Sequence, residues 1–209
     1  MWFQALDDIA TRTHWKLIVI AKFACSIDLL PVNDPDSPER AWTACERWRK
    51  LAAARIRHLD PDVLVISQSS PAEQVATILG GRSYPHDVWQ SGLEAAIADF
   101  RISPKKVVVI GNIPLAGGPK CLARHSGDVQ FCSGTLPQPI TPYNDAERAA
   151  VAAVGGTYVD VTPWFCGTVC PVVIGQYAVY WDHFHVSRTY SQTLETVLEQ
   201  SLPLGSART

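Results

Sequence analysis

In Lys106-Val107-Val108-Val109-Ile110-Gly111-Asn112 an unbroken apolar run of strand length follows a lysine and stops at a glycine and an asparagine. A strand with water on one face alternates apolar and polar residues, so a run without alternation reads as a strand covered on both faces, the pattern of a parallel sheet. Three further runs, at 16–21, 63–67 and 157–161, have the same character. Amphipathic stretches over about 38–58, 85–101 and 142–154 separate them, and another covers about 187–201. Strands alternating with helices in this order predict βαβ units and a doubly wound α/β domain with a parallel sheet.

Helix starts carry local signals. Ser37-Pro38 and Thr141-Pro142 each place a cap residue before a proline at the first helical position, and Ser70-Pro71-Ala72-Glu73 has the capping-box pattern. Two long loops follow strands, one over about 112–140 and one over about 162–181, at the carboxyl edge where open α/β sheets place their sites. The stretch 2–13 reads as a helix with Phe3, Leu6, Ile9 and Ala10 on one face. A doubly wound sheet usually opens with a strand, so a helix in first place leads us to expect a preceding strand and turn outside this sequence. The domain is assigned to 1–201, and 202–209 to a frayed tail.

At 209 residues, 47% of them apolar, the chain is long enough to bury one substantial core. Its net charge of −2 comes without a basic run, so a nucleic-acid partner is not expected. The longest apolar runs are far below the roughly 20 residues of a bilayer span, and the first residues lack the pattern of an export signal. The six cysteines fall as neighbouring pairs: Cys25 with Cys45, Cys121 with Cys132, and Cys166 with Cys170. Six cysteines allow roughly 15 connectivities among which the sequence does not choose, and three disulfides in sequential order are the expectation because each closes a short loop. Zinc ligation and buried free thiols are the competing readings, although only Cys166-x3-Cys170 approaches a zinc spacing. Disulfides imply an oxidising compartment, which sits uneasily with the missing export signal.

Chemistry concentrates at Asp182-His183-Phe184-His185-Val186-Ser187. Residues three apart are neighbours on a helical turn, so the Asp182 carboxylate reaches Nδ1 of His185 and leaves Nε2 for a substrate or nucleophile. That is two thirds of a hydroxyl-nucleophile triad. A lone Asp-x-x-His is more often the polar start of a helix, so the surrounding order of elements has to carry the assignment. Ser187 reads as the cap of the last helix. Tyr180 and Trp181, beside a strand end, read as core aromatics, with a wall of an acyl or sugar site as the second reading. Ser70 is assigned to its capping box and Cys25 to its disulfide, so neither is taken as the nucleophile. His14, His58, His86 and His125 are read as surface residues without partners.

The ordered set Trp2-Phe3-Gln4-Ala5-Leu6, Cys45-Glu46-Arg47-Trp48-Arg49, Asp62-Val63-Leu64-Val65-Ile66-Ser67, Gly111-Asn112-Ile113-Pro114, Asp160-Val161-Thr162-Pro163 and Tyr180-Trp181-Asp182-His183-Phe184-His185 resembles the SGNH (GDSL-type) hydrolase superfamily. The match is nearest to SGNH domains fused behind acyltransferase-3 membrane proteins. The resemblance implies a three-layer αβα fold and a serine, acid and base triad whose acid and base fall on Asp182 and His185. It implies no cofactor and no metal. The family's Gly-Asp-Ser motif does not occur here, since Gly127-Asp128 is followed by Val129. We therefore expect a truncated domain whose first strand and serine lie ahead of Met1, inactive by itself. Oxyanion donors are expected at Asn112, or at Ser67 and Gln68. The implied function is transfer of an acetyl-like group to a cell-envelope glycan, with an acyltransferase-3 membrane domain in cis, on the extracytoplasmic face of a bacterial membrane. A stand-alone esterase or carbohydrate deacetylase and a non-catalytic carbohydrate-binding module are the alternatives.

Overall fold

The computed structural model describes residues 1–70, 83–103 and 106–204. Its helices are α1 (Phe3–Thr13), α2 (Thr43–Leu59), α3 (His86–Phe100), α4 (Pro119–Arg124), α5 (Thr141–Val154), α6 (Thr162–Phe165), α7 (Arg188–Thr193) and α8 (Glu195–Ser201). Its strands are β1 (Asn33–Asp34), β2 (Ser37–Ala41), β3 (Leu64–Ser67), β4 (Val107–Ile110), β5 (Gly134–Thr135), β6 (Thr157–Val159), β7 (Val169–Cys170), β8 (Val173–Ile174) and β9 (Tyr177–Ala178). They fall into two compact units, one of Met1–Val19, Ile113–Gln138 and Asp160–Thr209, the other of Ile20–Asn112 and Pro139–Val159.

The second unit holds the parallel sheet, in the order β3-β4-β6. Leu64 pairs with Val107 and Val108 with Thr157, so β4 has a ladder on each side. Val107 and Val109 enter a core with Ala53 and Ile56 of α2, Leu93, Ile97 and Phe100 of α3, and Ala150 and Val151 of α5. Val108 and Ile110 point to the other face and are buried as well. The run that opened the sequence reading is thus covered on both faces, and the fold is mixed α/β around a parallel sheet. Gly155, at φ 78°, takes the left-handed position that ends α5. The Cys25–Cys45 disulfide fastens the segment ahead of β1 to α2. Beside it, buried Arg49 donates to the carbonyls of Ser26 and Leu30 and faces Asp28. Burial raises the Asp28 carboxyl pKa, and the Arg49 charge opposes that rise.

The first unit is a helical and looped assembly. Helix α1 packs on α7 and α8, and Arg12 bridges Glu195 and Glu199 at the surface. Trp2 meets the rings of Trp164 and Phe165 edge to face. The two long loops are joined by the antiparallel β5–β7 pair, which sets Gly134 opposite Cys170 and Thr135 opposite Val169. Cys121–Cys132 and Cys166–Cys170 close a short loop in each. The cysteines therefore pair in sequential order and are all oxidised, which removes the zinc and free-thiol readings.

Several local expectations are corrected. The apolar run 16–21 is in no strand, and Leu17, Ile18 and Val19 are exposed. A strand exists only with a ladder partner, and none of the described residues pairs with this run. Ser37-Pro38 does not cap a helix. Pairing of Asn33 with Ala41 and Asp34 with Ser37 draws that stretch into β2, and the helix begins at Thr43. Thr141 lies inside the first turn of α5, and the cap position is taken by Ile140. The helix expected over 187–201 is broken at Leu194. There Ser191 and Thr193 turn their hydroxyls back onto the carbonyls of Arg188 and Tyr190. In α1 the buried face is Ala5, Ile9 and Ala10, with Phe3 left in water. Leu202 is buried and belongs to the folded part, although it was assigned to the tail. Apart from Ser70 itself, the capping box at 70–73 lies outside the described residues.

Candidate functional site

The segment Ala178–Ser187 is a narrow two-stranded turn. Tyr180 and Val186 form an antiparallel bridge, framed by bonds from Ser187 N–H to the Val179 carbonyl and from Trp181 N–H to the His185 carbonyl, both 2.8 Å. Asp182 closes the end. Its Oδ1 accepts the N–H groups of Phe184 at 2.7 Å and His185 at 2.8 Å, and its Oδ2 lies 2.8 Å from His185 Nδ1. The Asp and His therefore meet across a bend that the carboxylate itself holds, and the helical turn assumed from the spacing is absent. A carboxylate only accepts, so Nδ1 carries the proton and Nε2 of the neutral ring keeps its lone pair. Ser187 then caps α7 by accepting Tyr190 N–H, as expected.

Electrostatically, Asp182 is subject to opposed influences. Burial, the largest of them, raises its pKa, but the bonds from Phe184 and His185 and the His185 charge outweigh it together and leave the carboxyl below its ordinary value. These bonds thus favour the ionised carboxylate. Tyr180 beneath the turn is buried and its phenol pKa is pushed up, mainly by that burial.

The long loop backs this turn. Gly118 lies so close to Asp182 that a Cβ would come within 2.9 Å of the Asp182 carbonyl carbon. His183 Nδ1 approaches the Ala116 carbonyl at 3.2 Å, and Gly117 N–H donates to the Cys132 carbonyl at 2.7 Å. The Cys121–Cys132 disulfide and reciprocal bonds between Leu115 and Gln138 hold the loop in shape. Among the described residues, no group of three or more His, Cys, Asp or Glu is placed to hold a metal.

The residues offered as oxyanion donors lie in the unit that carries the sheet. Asn112 is buried and fully engaged: its N–H and Nδ2 both donate to Asn144 Oδ1 at 3.0 Å, and Nδ2 also reaches Glu147 at 3.2 Å. Its Oδ1 accepts Ser70 N–H, and its carbonyl accepts from Asn144. Gln68 accepts Ile27 N–H and donates to Glu147. Ser67 ends β3 exposed. His86 and His125, expected to be partnerless, have ring partners: His86 meets Tyr143 edge to face and His125 stacks on Phe131.

A family model for the SGNH domain fused to AT3 domains matches residues 1–200. The chain belongs to that family. This SGNH domain also shares its fold with a solved periplasmic domain of a lipopolysaccharide acetyltransferase of Salmonella ser. Paratyphi A. The TM-score is 0.73 at 14% identity, over 95% of this chain and 77% of that one. Identity so low speaks for the fold alone. No curated protein sequence matches the chain. No described helix of the SGNH domain is long and apolar enough to cross a membrane.

Sequence reasoning found the pair but missed its support. Gly118, Ala116 and His183 meet only through the folded loop, and the sole local hint was Gly117-Gly118 before Pro119.

Proposed function

We propose that this SGNH domain serves O-acyl transfer to a cell-envelope glycan, with Asp182 and His185 as the acid and base of the reaction. The observation that carries the reading is the 2.8 Å contact from Asp182 Oδ2 to His185 Nδ1, which leaves Nε2 with a lone pair, in a chain of the family fused to AT3 domains. That the fold neighbour is a domain of a lipopolysaccharide acetyltransferase supports the same class of reaction. In this reading Nε2 takes the proton of a serine hydroxyl as the oxygen bonds to an acyl carbonyl carbon, and returns it to the departing donor oxygen. A sugar hydroxyl then attacks the serine ester, gives its proton to Nε2, and the serine oxygen leaves with that proton. Asp182 fixes the ring and stabilises the imidazolium. Asn112 is no oxyanion donor in this reading, because its N–H and Nδ2 are already given to Asn144 and Glu147. The AT3 membrane domain would deliver the acyl group in cis, at the extracytoplasmic face, where the three disulfides are stable.

The sequence contains no Gly-Asp-Ser. We propose that the serine of this reaction is not among the residues of this sequence, and that this chain alone neither turns over an aryl acetate nor reacts with a serine-directed phosphonate. The coding frame upstream tests this: a Gly-Asp-Ser-His immediately before Met1, behind a set of apolar spans, fits the reading. A stop codon there overturns it in favour of a non-catalytic glycan-binding module. In the protein translated from such a frame, His185→Ala lowers O-acetylation of envelope glycan by about 10³-fold or more, because the base is lost. Unchanged ester content in that variant overturns the role of His185.

A further inference from the structure

We propose that the indole of Trp181 is the platform on which the acceptor sugar stacks, beside the imidazole that receives its proton. The proposal rests on the acyl-transfer reading above. Its starting point is the ladder register. Tyr180 bridges Val186, and the flanking bonds join 179 to 187 and 181 to 185, so Trp181 stands directly opposite His185. Opposed residues of an antiparallel pair project to the same face, with Cβ atoms about 4.5–5.5 Å apart, and successive residues alternate faces. Tyr180 and Val186 are 2% and 4% exposed and occupy the inner face. Trp181 and His185 therefore share the outer face, where Trp181 is 73% exposed and the His185 side chain 44%.

An indole left that far in water adds little to the core, and its place in the ladder needs no aromatic ring. What the ring offers is a flat, electron-rich face next to the base. A pyranose presents axial C–H groups on one face, apolar and slightly positive, which match the negative face of an indole. Stacked there, the sugar keeps its equatorial hydroxyls at its rim, within reach of a neighbouring imidazole. The backbone under Trp181 is fixed by its bond to His185 and by the Asp182 turn, so the platform is preorganised. The occupant this geometry fits is a neutral hexopyranose or deoxyhexopyranose.

The test uses the 209-residue chain and nitrogen-labelled indole groups. There are seven tryptophans, and the Trp181 signal is the one lost in Trp181→Phe. Methyl glycosides of glucose, galactose, mannose and rhamnose are titrated in turn. We expect at least one to shift the Trp181 indole signal saturably. Read from the saturable change in the glycoside's own proton signals, which every variant can report, Trp181→Ala should weaken that binding roughly ten-fold, as loss of one aromatic stack does. Trp181→Phe should keep most of it, and Phe3→Ala, which removes another exposed ring, all of it. The circular dichroism of Trp181→Ala should match the parent, since the side chain is outside the core. Binding with unchanged affinity in Trp181→Ala overturns the platform and leaves the carbohydrate reading standing. Failure of all four glycosides to bind overturns both.

Discussion

The Asp182–His185 pair and the cluster of Asn112, Asn144, Glu147 and Gln68 are both carboxylates surrounded by nitrogen donors at about 3 Å. They differ in exposure. The side chains of the pair are 42% and 44% open to water, whereas Glu147 is completely buried. In the pair one ring nitrogen is left with a lone pair and room around it. In the cluster the backbone and side-chain groups of Asn112 are all engaged. The lesson is that residue type does not separate site from scaffold here. The separation comes from whether a donor or acceptor is left over once the fold has taken what it needs.

If that contrast is right, the cluster should dominate stability. Glu147→Ala opens a cavity, takes the acceptor of the Gln68 Nε2 group and leaves Asn112 Nδ2 with Asn144 as its one remaining partner. Unpaired buried donors and lost packing together should cost about 2–4 kcal/mol, read as a lower urea midpoint at unchanged slope. A cost below about 1 kcal/mol would mean the cluster is no more structural than the exposed pair.

Gly118→Ala should sit between the two extremes. The added Cβ meets the backbone of Asp182, which cannot rotate away as a side-chain tip could. We expect a loss of about 1–2 kcal/mol, the usual range for overpacking. The informative readout is the His185 ring in a carbon-detected or long-range nitrogen spectrum. Displacement of Asp182 should remove the Nδ1–H tautomer preference that the parent shows. A ring spectrum identical to the parent would mean that the loop does not position the pair.

How much of this was legible in the sequence follows from the distance along the chain over which each contact is made. Asp182 and His185 are three residues apart, so their meeting could be anticipated even though the turn proved not to be helical. The three disulfides join cysteines at sequence separations of 20, 11 and 4, short enough for sequential pairing to be the expectation. Asn112 meets Asn144 and Glu147 across separations of 32 and 35, and His183 meets the Ala116 carbonyl across 67. Nothing local signals such contacts. The runs 16–21 and 107–110 make the same point for the fold. Both are β-branched and apolar, yet β4 has a ladder on either side, while Val19 is 56% exposed and pairs with nothing described. Local composition announces a readiness to be a strand, and the partner decides whether one forms. Ser37-Pro38 shows the reverse, a valid helix-start signal overridden by pairing with β1.

The smallest stability effect should come from the site itself, and its pH dependence distinguishes charge from shape. Asp182→Asn keeps a carbonyl oxygen able to accept the Phe184 and His185 N–H groups, so the bend survives and only the charge is removed. Exposed pairs of this kind are worth less than about 1 kcal/mol. The folded carboxyl lies below its ordinary value of 3.8. A depressed carboxyl stabilises the fold in full above the unfolded value and loses that contribution as the pH falls through the lower folded value. The parent should therefore exceed Asp182→Asn in stability by a constant small margin above about pH 4, and the margin should vanish in more acid solution. Thermal unfolding of both proteins from neutral pH to pH 2.5 or so measures it. A margin that persists at the acid end would show that the carboxyl acts through packing of the bend, and the contrast between an ionic site and a hydrogen-bonded scaffold would then fail at its ionic side.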